Sequence, residues 1–342
     1  MKILEVRPLE PLSLSLSPIG GLDIFTVMQP TPIPLPTTII GALGAIMNVK
    51  LSSNDPMNSL IELINVLKNN CEAGEDPIVL GPLTCFEGQV IDPNRCYAYV
   101  YPDRLLSLSK HAIDVRSKIV YLKEECKGSE ECYIDFTPMT LTGVSLLRTR
   151  PGEDKTVRYG FMYRYPLITF RTSSGRVVNP VYIYGFNCYN DLNAIARLGG
   201  EGRVVKLVTK IDETDFLKNI TTPLKRLEKG LYLSLSPIPM IPLRDDAIYL
   251  TPETVKLPIP VDSIVGIPQE YSPPKIRIIR LGLGFSEVAK KRRPEILGLP
   301  PGTVIMIKDN VTTPKSDDND LMKKLLSIGF ATLYKLSDGI AD

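Results

Sequence analysis

Histidine occurs once in the 342 residues, at His111. None of the six cysteines forms a Cys-x-x-Cys pair, so the His/Cys clusters of structural zinc sites are excluded and no metal is assigned. A single imidazole also leaves no histidine pair for general acid–base chemistry, and His111, in Lys110-His-Ala-Ile-Asp114, reads as an ordinary exposed residue. No apolar run approaches about 20 residues, and the chain does not open on a basic segment followed by a long apolar one. Neither a membrane span nor a signal peptide is therefore expected, and the cytoplasm is the expected location. No Gly-x-Gly-x-x-Gly opens a helix and no Gly-Lys-Ser/Thr follows a glycine loop, which removes the dinucleotide fingerprint and the P-loop; no cofactor is assigned. Charge of one sign is lacking too: 40 Lys and Arg face 38 Asp and Glu, for a net charge of +2.

What is present is local. From Arg148 to Arg176 seven cations face Glu153 and Asp154, and from Lys275 to Arg293 seven face Glu287 alone. Basic segments in a near-neutral chain fit a localised anionic partner, with a solvated face as the alternative. The length allows two domains. The cysteines are Cys71, Cys85, Cys96, Cys126, Cys132 and Cys188; Cys126 and Cys132 flank a polar turn and either pair, as in a hyperthermophile, or remain free thiols.

The stretch from Val181 to Thr209 organises the first half. Val181-Tyr-Ile-Tyr-Gly-Phe186 and Arg203-Val-Val-Lys-Leu-Val-Thr209 are rich in β-branched and aromatic residues and read as strands. Between them Leu192, Ile195, Ala196 and Gly199 recur at helical spacing, with Asn190 or Asp191 as N-cap and Gly199 as the stop. The expectation is strand, helix, glycine loop, strand. Gly199, Gly200 and Gly202 let the backbone approach an anion while Arg203 supplies charge, and a plain helix cap with a tight turn fits the same letters.

Upstream, Lys2–Val6 and Leu12–Leu16 read as extended. The proline-rich segment 29–36 leads to a helix over Ile39–Val49 with Thr37-Thr38 as N-cap. Gly41, Gly44 and Ala45 give that helix a small stripe, for close packing or for a phosphate near Thr38 and Gly41. Leu60, Leu63, Ile64 and Leu67 mark a second helix begun by Asp55-Pro56. Residues 72–133 show little periodicity and read as an insertion. Leu141–Leu147 and Tyr159–Phe170 then form a hairpin around Arg150-Pro-Gly-Glu-Asp-Lys155. Its Arg148, Arg150, Arg158 and Arg164 interleave with Tyr159, Phe161, Tyr163 and Tyr165, a pattern that suits single-stranded RNA and also a half-buried strand pair.

In the second half Leu233-Ser-Leu-Ser-Pro-Ile238 repeats Leu14-Ser-Leu-Ser-Pro-Ile19. Thr303–Lys308 reads as a strand, Leu321, Met322, Leu325 and Ile328 as a helix ended by Gly329, and Phe330–Leu336 as a strand. The order fits a duplicated β-α-β-β-α-β unit. The expected class is α+β, two ferredoxin-like (RRM-like) domains in tandem with hairpin and loop insertions. Residues 1–212 form the first domain, with insertions at about 72–176; 213–229 form a connector and 230–342 the second domain. Lys290-Lys-Arg-Arg293 reads as a phosphate-contacting loop or as a contact for an acidic protein.

These motifs resemble those of the RAMP superfamily, and within it the third-numbered subunits of Cmr, the RNA-guided effector of type III-B CRISPR systems. The carrying residues are Pro34-Leu-Pro-Thr-Thr-Ile-Ile-Gly-Ala-Leu43, Gly143-Val144 before Tyr159-Gly-Phe-Met-Tyr163, Arg197-Leu-Gly-Gly-Glu-Gly-Arg203, Arg292-Arg-Pro294 and Pro300-Pro-Gly-Thr-Val304. The resemblance implies no catalytic residues and two ferredoxin-like domains that hold the 5′ handle of the guide crRNA. It further implies that the subunit joins the large polymerase-like subunit to the backbone RAMP subunits. It carries Gly199, Gly200, Gly202 and Arg203 onto the RNA-contacting loop, and Thr38 and Gly41 onto the first-helix entrance. Gly284-Phe285 departs from the family's glycine-tryptophan, and the chain has no tryptophan. A RAMP endoribonuclease that processes precursor crRNA is the enzymatic alternative, and a pure protein adaptor is the third.

Overall fold

The computed structural model describes residues 1–16, 29–71, 73–74, 76–87, 96–108, 113–116, 119–122, 133–147, 156–172, 175–188, 191–200, 202–212, 215–242, 254–268, 275–311 and 320–337. The chain opens on β1 (Lys2–Pro8), and an extended segment with Leu12, Leu14 and Leu16 buried follows it. Helix α1 (Pro36–Ile46) starts three residues before the Ile39 that a Thr37-Thr38 cap suggests. Its N-cap is Leu35, with no side-chain cap, because Pro36 at the first helical position already has the φ a helix needs. Both threonines thus lie inside the first turn. Helix α2 (Pro56–Cys71) begins as its letters imply, the Asp55 Oδ1 accepting from the Asn58 N–H at 2.7 Å, and it buries Leu60, Leu63, Ile64 and Leu67. No helix among the described residues is long and apolar enough to cross a membrane.

Strands dominate the rest. The first half continues with β2 (Val79–Phe86), β3 (Tyr97–Val100), β4 (Arg104–Ser107), a small hairpin of β5 (Ile113–Arg116) and β6 (Ile119–Leu122), and the long hairpin β7 (Tyr133–Leu147) and β8 (Thr156–Arg171). It closes with β9 (Val177–Val178), β10 (Pro180–Phe186), β11 (Asn193–Arg197) and β12 (Val204–Ile211). All but β5 and β6 join one antiparallel sheet in the order β11-β12-β1-β10-β2-β3-β4-β7-β8-β9. Residues 79–107, weakly periodic as letters, therefore supply three strands of the main sheet.

The second half holds β13 (Ile220–Thr221), β14 (Gly230–Ser234), β15 (Ile238–Pro242), β16 (Val255–Lys256), β17 (Ile264–Gly266), β18 (Ile279–Gly282), β19 (Phe285–Ser286) and β20 (Lys291–Arg292). Then come β21 (Glu295–Leu299), β22 (Val304–Ile307), α3 (Leu321–Ser327) and β23 (Leu333–Ser337). They build a five-stranded sheet, β13-β23-β14-β22-β17, and a four-stranded one, β16-β15-β21-β18. Within the large sheets, β12-β1-β10-β2 and β23-β14-β22-β17 correspond: β1 lies between β12 and β10, and β14 between β23 and β22.

Side chains alternate between three cores. Leu4, Val6, Tyr182, Tyr184 and Leu207 face α1 and α2. Ile3, Val181 and Ile183 point the other way and meet Leu231, Leu233, Val304 and Met306, so the free faces of the two sheets cover each other. Tyr232, Ile305, Ile307 and Leu333 pack on Met322 and Leu326 of α3.

The stretch Leu192–Leu198, expected as a helix, is instead strand β11, paired antiparallel with β12 from Asn193↔Val208 to Arg197↔Val204. Burial follows a period of two: Leu192 and Leu198 are buried, Ala194 and Ala196 half-buried, and Asn193, Ile195 and Arg197 exposed. Between a polar break and a glycine only about two helical turns could form, too few to be stable alone, whereas a strand here completes its ladder on β12. Cys126 and Cys132 lie outside the described residues. Two other bridges are present, Cys71–Cys188 and Cys85–Cys96, with Cα–Cα distances of 4.2 and 4.5 Å. The second follows from strand register, since Thr84 opposes Tyr97.

Candidate nucleic-acid interface

A cleft of about 610 Å³ opens where four segments distant in sequence converge. One wall is α1, with Thr38, Gly41 and Gly44; the floor is Ser13–Ser15; Gly199 and Gly200 close one end, beside Tyr165 of β8. The other wall is the β19–β20 hairpin, with Phe285, Val288, Arg292 and Arg293. The cleft is open because α1 is small on this side. A Cβ placed on Gly41 would meet nothing within 4 Å, whereas one on Gly44 would lie 2.6 Å from Leu63 Cδ1, so Gly44 serves close packing and Gly41 serves the opening.

The glycine loop joins β11 to β12. Gly199 has φ +76°, and a Cβ there would fall 2.5 Å from the Ser13 carbonyl oxygen. That approach lets the Gly200 N–H donate to the Ser13 carbonyl at 2.9 Å, while the Leu198 N–H donates to the Arg203 carbonyl at 2.7 Å. Gly202, φ +62°, completes the turn against the Arg197 side chain. The Gly200 and Leu198 N–H groups are therefore spent on the protein, and the loop docks on Ser13.

Arg203 stands behind Tyr165, not in the cleft. Its Nη1 is 2.6 Å from Glu10 Oε2, its Nη2 donates to the Tyr165 hydroxyl at 3.3 Å, and its guanidinium carbon lies 5.7 Å from that ring's centroid. Glu10 also accepts from the Val204 N–H at 3.0 Å. The Arg203 hydrogen bond, helped by the Val204 N–H, holds the Glu10 carboxyl below its ordinary pKa; the same bond to Glu10 raises that of Arg203. Arg203 thus braces an aromatic ring that lines the cleft.

Lys290-Lys-Arg-Arg293 divides into two kinds of residue. Arg293 is a staple: Nε donates to the Pro56 carbonyl at 3.1 Å and Nη1 to those of Leu283 and Phe285 at 3.3 and 2.9 Å. Burial pulls its pKa below the usual arginine value. Lys290, Lys291 and Arg292 are exposed, with Lys290 Nζ 3.6 Å from Glu287 Oε2.

Of the residues singled out in the sequence, Thr38, Gly41, Gly199, Gly200, Arg292 and Arg293 share this one cleft. Gly202, Arg203, Lys290 and Lys291 stand beside it. Arg148 and Arg150 lie outside the described residues, and Arg158 lies on β8 with its side chain outside them. Ser13, Ser15, Val288 and Glu10 were not found by sequence reasoning. Val288 carries a weak signal as an apolar letter in a charged loop; the others depend on contacts across the chain.

No protein-family model and no curated protein matches the sequence. Two solved structures share its fold over nearly its whole length. A chain in the cryo-EM structure of the type III-B Cmr-beta bound to cognate target RNA is 19% identical, covers 98% of this chain and 97% of its own length, and superposes with a TM-score of 0.62. A chain of type III-B Cmr-beta bound to cognate target RNA and AMPPnP, state 1, gives 20% identity, the same coverage and a TM-score of 0.63.

Proposed function

We propose that this chain is a non-catalytic RNA-binding subunit of a type III-B CRISPR (Cmr) effector, equivalent to its third-numbered subunit. In this role it holds the 5′ handle of the guide crRNA and joins the large polymerase-like subunit to the RAMP backbone. Each half is read as a ferredoxin-like domain short of one helix: β11 stands where the second helix of the first half would run, and no α-helix lies between β14 and β22 among the described residues. The shared fold with chains of RNA-bound Cmr-beta supports this reading. The observation that carries it is the convergence of the first-helix entrance, the glycine loop, Tyr165 and the cationic hairpin on one cleft. Because the two sheet faces cover each other, the flat surface on which an isolated RRM stacks bases is occupied, and RNA is left the helix side. A sequence with one histidine has no imidazole pair for cleavage.

Ultraviolet crosslinking of the assembled complex to repeat-derived guide RNA, with adducts mapped by mass spectrometry, tests the reading. Adducts are expected at Tyr165, Phe285 and residues 199–203, with affinity falling steeply as salt rises. RNA adducts confined to other surfaces would overturn it. Site-specific RNA cleavage abolished by His111→Ala would favour the endoribonuclease instead.

A further inference from the structure

Resting on that RNA-binding reading, we infer that the cleft receives an unstacked nucleobase, with the phosphates held outside it on the exposed cations. A phosphate pocket needs convergent open N–H donors or an uncommitted buried cation, and the donors identified around this cleft are paired within the protein. The Gly200 N–H is taken by the Ser13 carbonyl, the Leu198 N–H by that of Arg203, and the Thr38 N–H by that of Leu35 at 2.9 Å. Arg293 directs its Nε and Nη1 to three backbone carbonyls, and Arg203 directs its Nη1 to Glu10 and its Nη2 to Tyr165.

What remains open to a ligand is suited to a flat aromatic group. Phe285 is 46% exposed and Val288 36% exposed at the rim, two apolar side chains of a short hairpin that the protein covers only in part. Tyr165 faces the cleft with its hydroxyl fixed by Arg203, so its ring is a braced wall. Across from these, Gly41 leaves a space on α1 that no side chain of the described residues enters. The half-buried Thr38 hydroxyl makes no hydrogen bond among the described residues and can donate to or accept from a base edge. Apolar walls, a few hydroxyls of which that of Thr38 is open to a ligand, the Glu287 carboxylate and a volume of about 610 Å³ are the features of a small-molecule or base pocket rather than of an anion nest. Arg292 and Lys291, exposed on β20 at the mouth, are placed to meet the backbone on either side of the inserted base.

Binding of labelled single-stranded RNA, of the same length of abasic RNA, and of RNA carrying 2-aminopurine is measured with the full chain and with Gly41→Leu. The variant places a side chain in the empty space of a helical position, so its thermal midpoint is expected to match or exceed that of the parent. Base-bearing RNA is expected to bind the parent about tenfold or more tightly than abasic RNA, and 2-aminopurine fluorescence is expected to change. Gly41→Leu is expected to remove that advantage while leaving abasic RNA affinity unchanged, and Phe285→Ala to reduce it in part. Equal binding of base-bearing and abasic RNA by the parent, or an unchanged advantage in Gly41→Leu, overturns the base pocket and leaves RNA binding standing. Failure of the parent to bind any of the three RNAs at low salt overturns the RNA reading itself, and this inference with it.

Discussion

The bridge between Cys71 and Cys188 ties the end of α2 to the segment after β10, across a sequence separation of 117 residues. Cys85–Cys96 closes a separation of 11 between neighbouring strands. By loop-closure entropy the long bridge should contribute about 5 kcal/mol and the short one about 3 kcal/mol, the short loop being nested in the long one so that the two do not add fully. For 342 residues the unfolding entropy near the midpoint is roughly 0.7 kcal/mol/K. Cys188→Ala is therefore expected to lower the thermal midpoint by about 7 °C, and Cys96→Ala by about 4 °C. Both cysteines are buried, so the packing loss is comparable and the difference between variants reports the loops. Scanning calorimetry gives the shifts, and alkylation of denatured, unreduced protein gives the thiol count. Six cysteines less the four in the bridges leaves at most two thiols to label. Six labelled thiols would refute the bridges, and a larger shift for Cys96→Ala than for Cys188→Ala would refute the entropic reasoning.

The two cleft glycines should respond in opposite directions to the same change. Gly199→Ala forces an alanine into the left-handed region against the Ser13 carbonyl, at a cost of about 1–2 kcal/mol from the backbone alone, while Gly41→Ala gains about 1 kcal/mol of helix propensity; denaturant midpoints check both. Arg293→Ala removes charged bonds to three carbonyls and should cost about 2 kcal/mol or more, whereas Lys291→Ala, on an exposed strand, should stay within about 0.5 kcal/mol yet weaken RNA retention. The reverse ranking in urea titrations would reverse the roles given to them. The Glu10 carboxyl is held below its ordinary value of 4.5, so its pairing stabilises the fold above that pH and the contribution is lost as pH falls through the lowered folded value. Glu10→Gln should accordingly melt below the parent at neutral pH, with the two melting curves converging in acid; a gap that widens in acid would contradict the sign.

Much of this architecture was legible as letters because local rules and packing agreed. Asp55-Pro56 before a regular apolar stripe had one reading, and α2 follows it. The arms around Arg150-Pro-Gly-Glu-Asp-Lys155 pair from Asp135↔Arg171 onward, since long strands of alternating character are specified by their own period. Where two periods competed, letters failed: Leu192–Leu198 satisfies helical spacing and alternation alike, and the open edge of β12 decided for the strand. The repeated hexapeptide misled in a different way. Leu233 and Ser234 belong to β14 itself, whereas Leu14 and Ser15 follow β1 and form part of the floor of the cleft.

The sequence by itself determined that the chain carries two strand-rich halves, small residues along its first helix, a glycine loop ahead of Arg203 and a run of four cations. Those are properties of neighbours along the chain, written in spacing and residue type. Only the tertiary structure decided that Arg203 and Arg293 serve the protein while Lys291 and Arg292 face outward. A guanidinium's availability depends on which carboxylates and carbonyls the fold brings within about 3 Å of it. It also decided which cysteines meet, and that Gly41 and Gly199, 158 positions apart, open and close one cleft. Such proximities arise when the sheet assembles, between residues too far apart in the chain for any local pattern to encode.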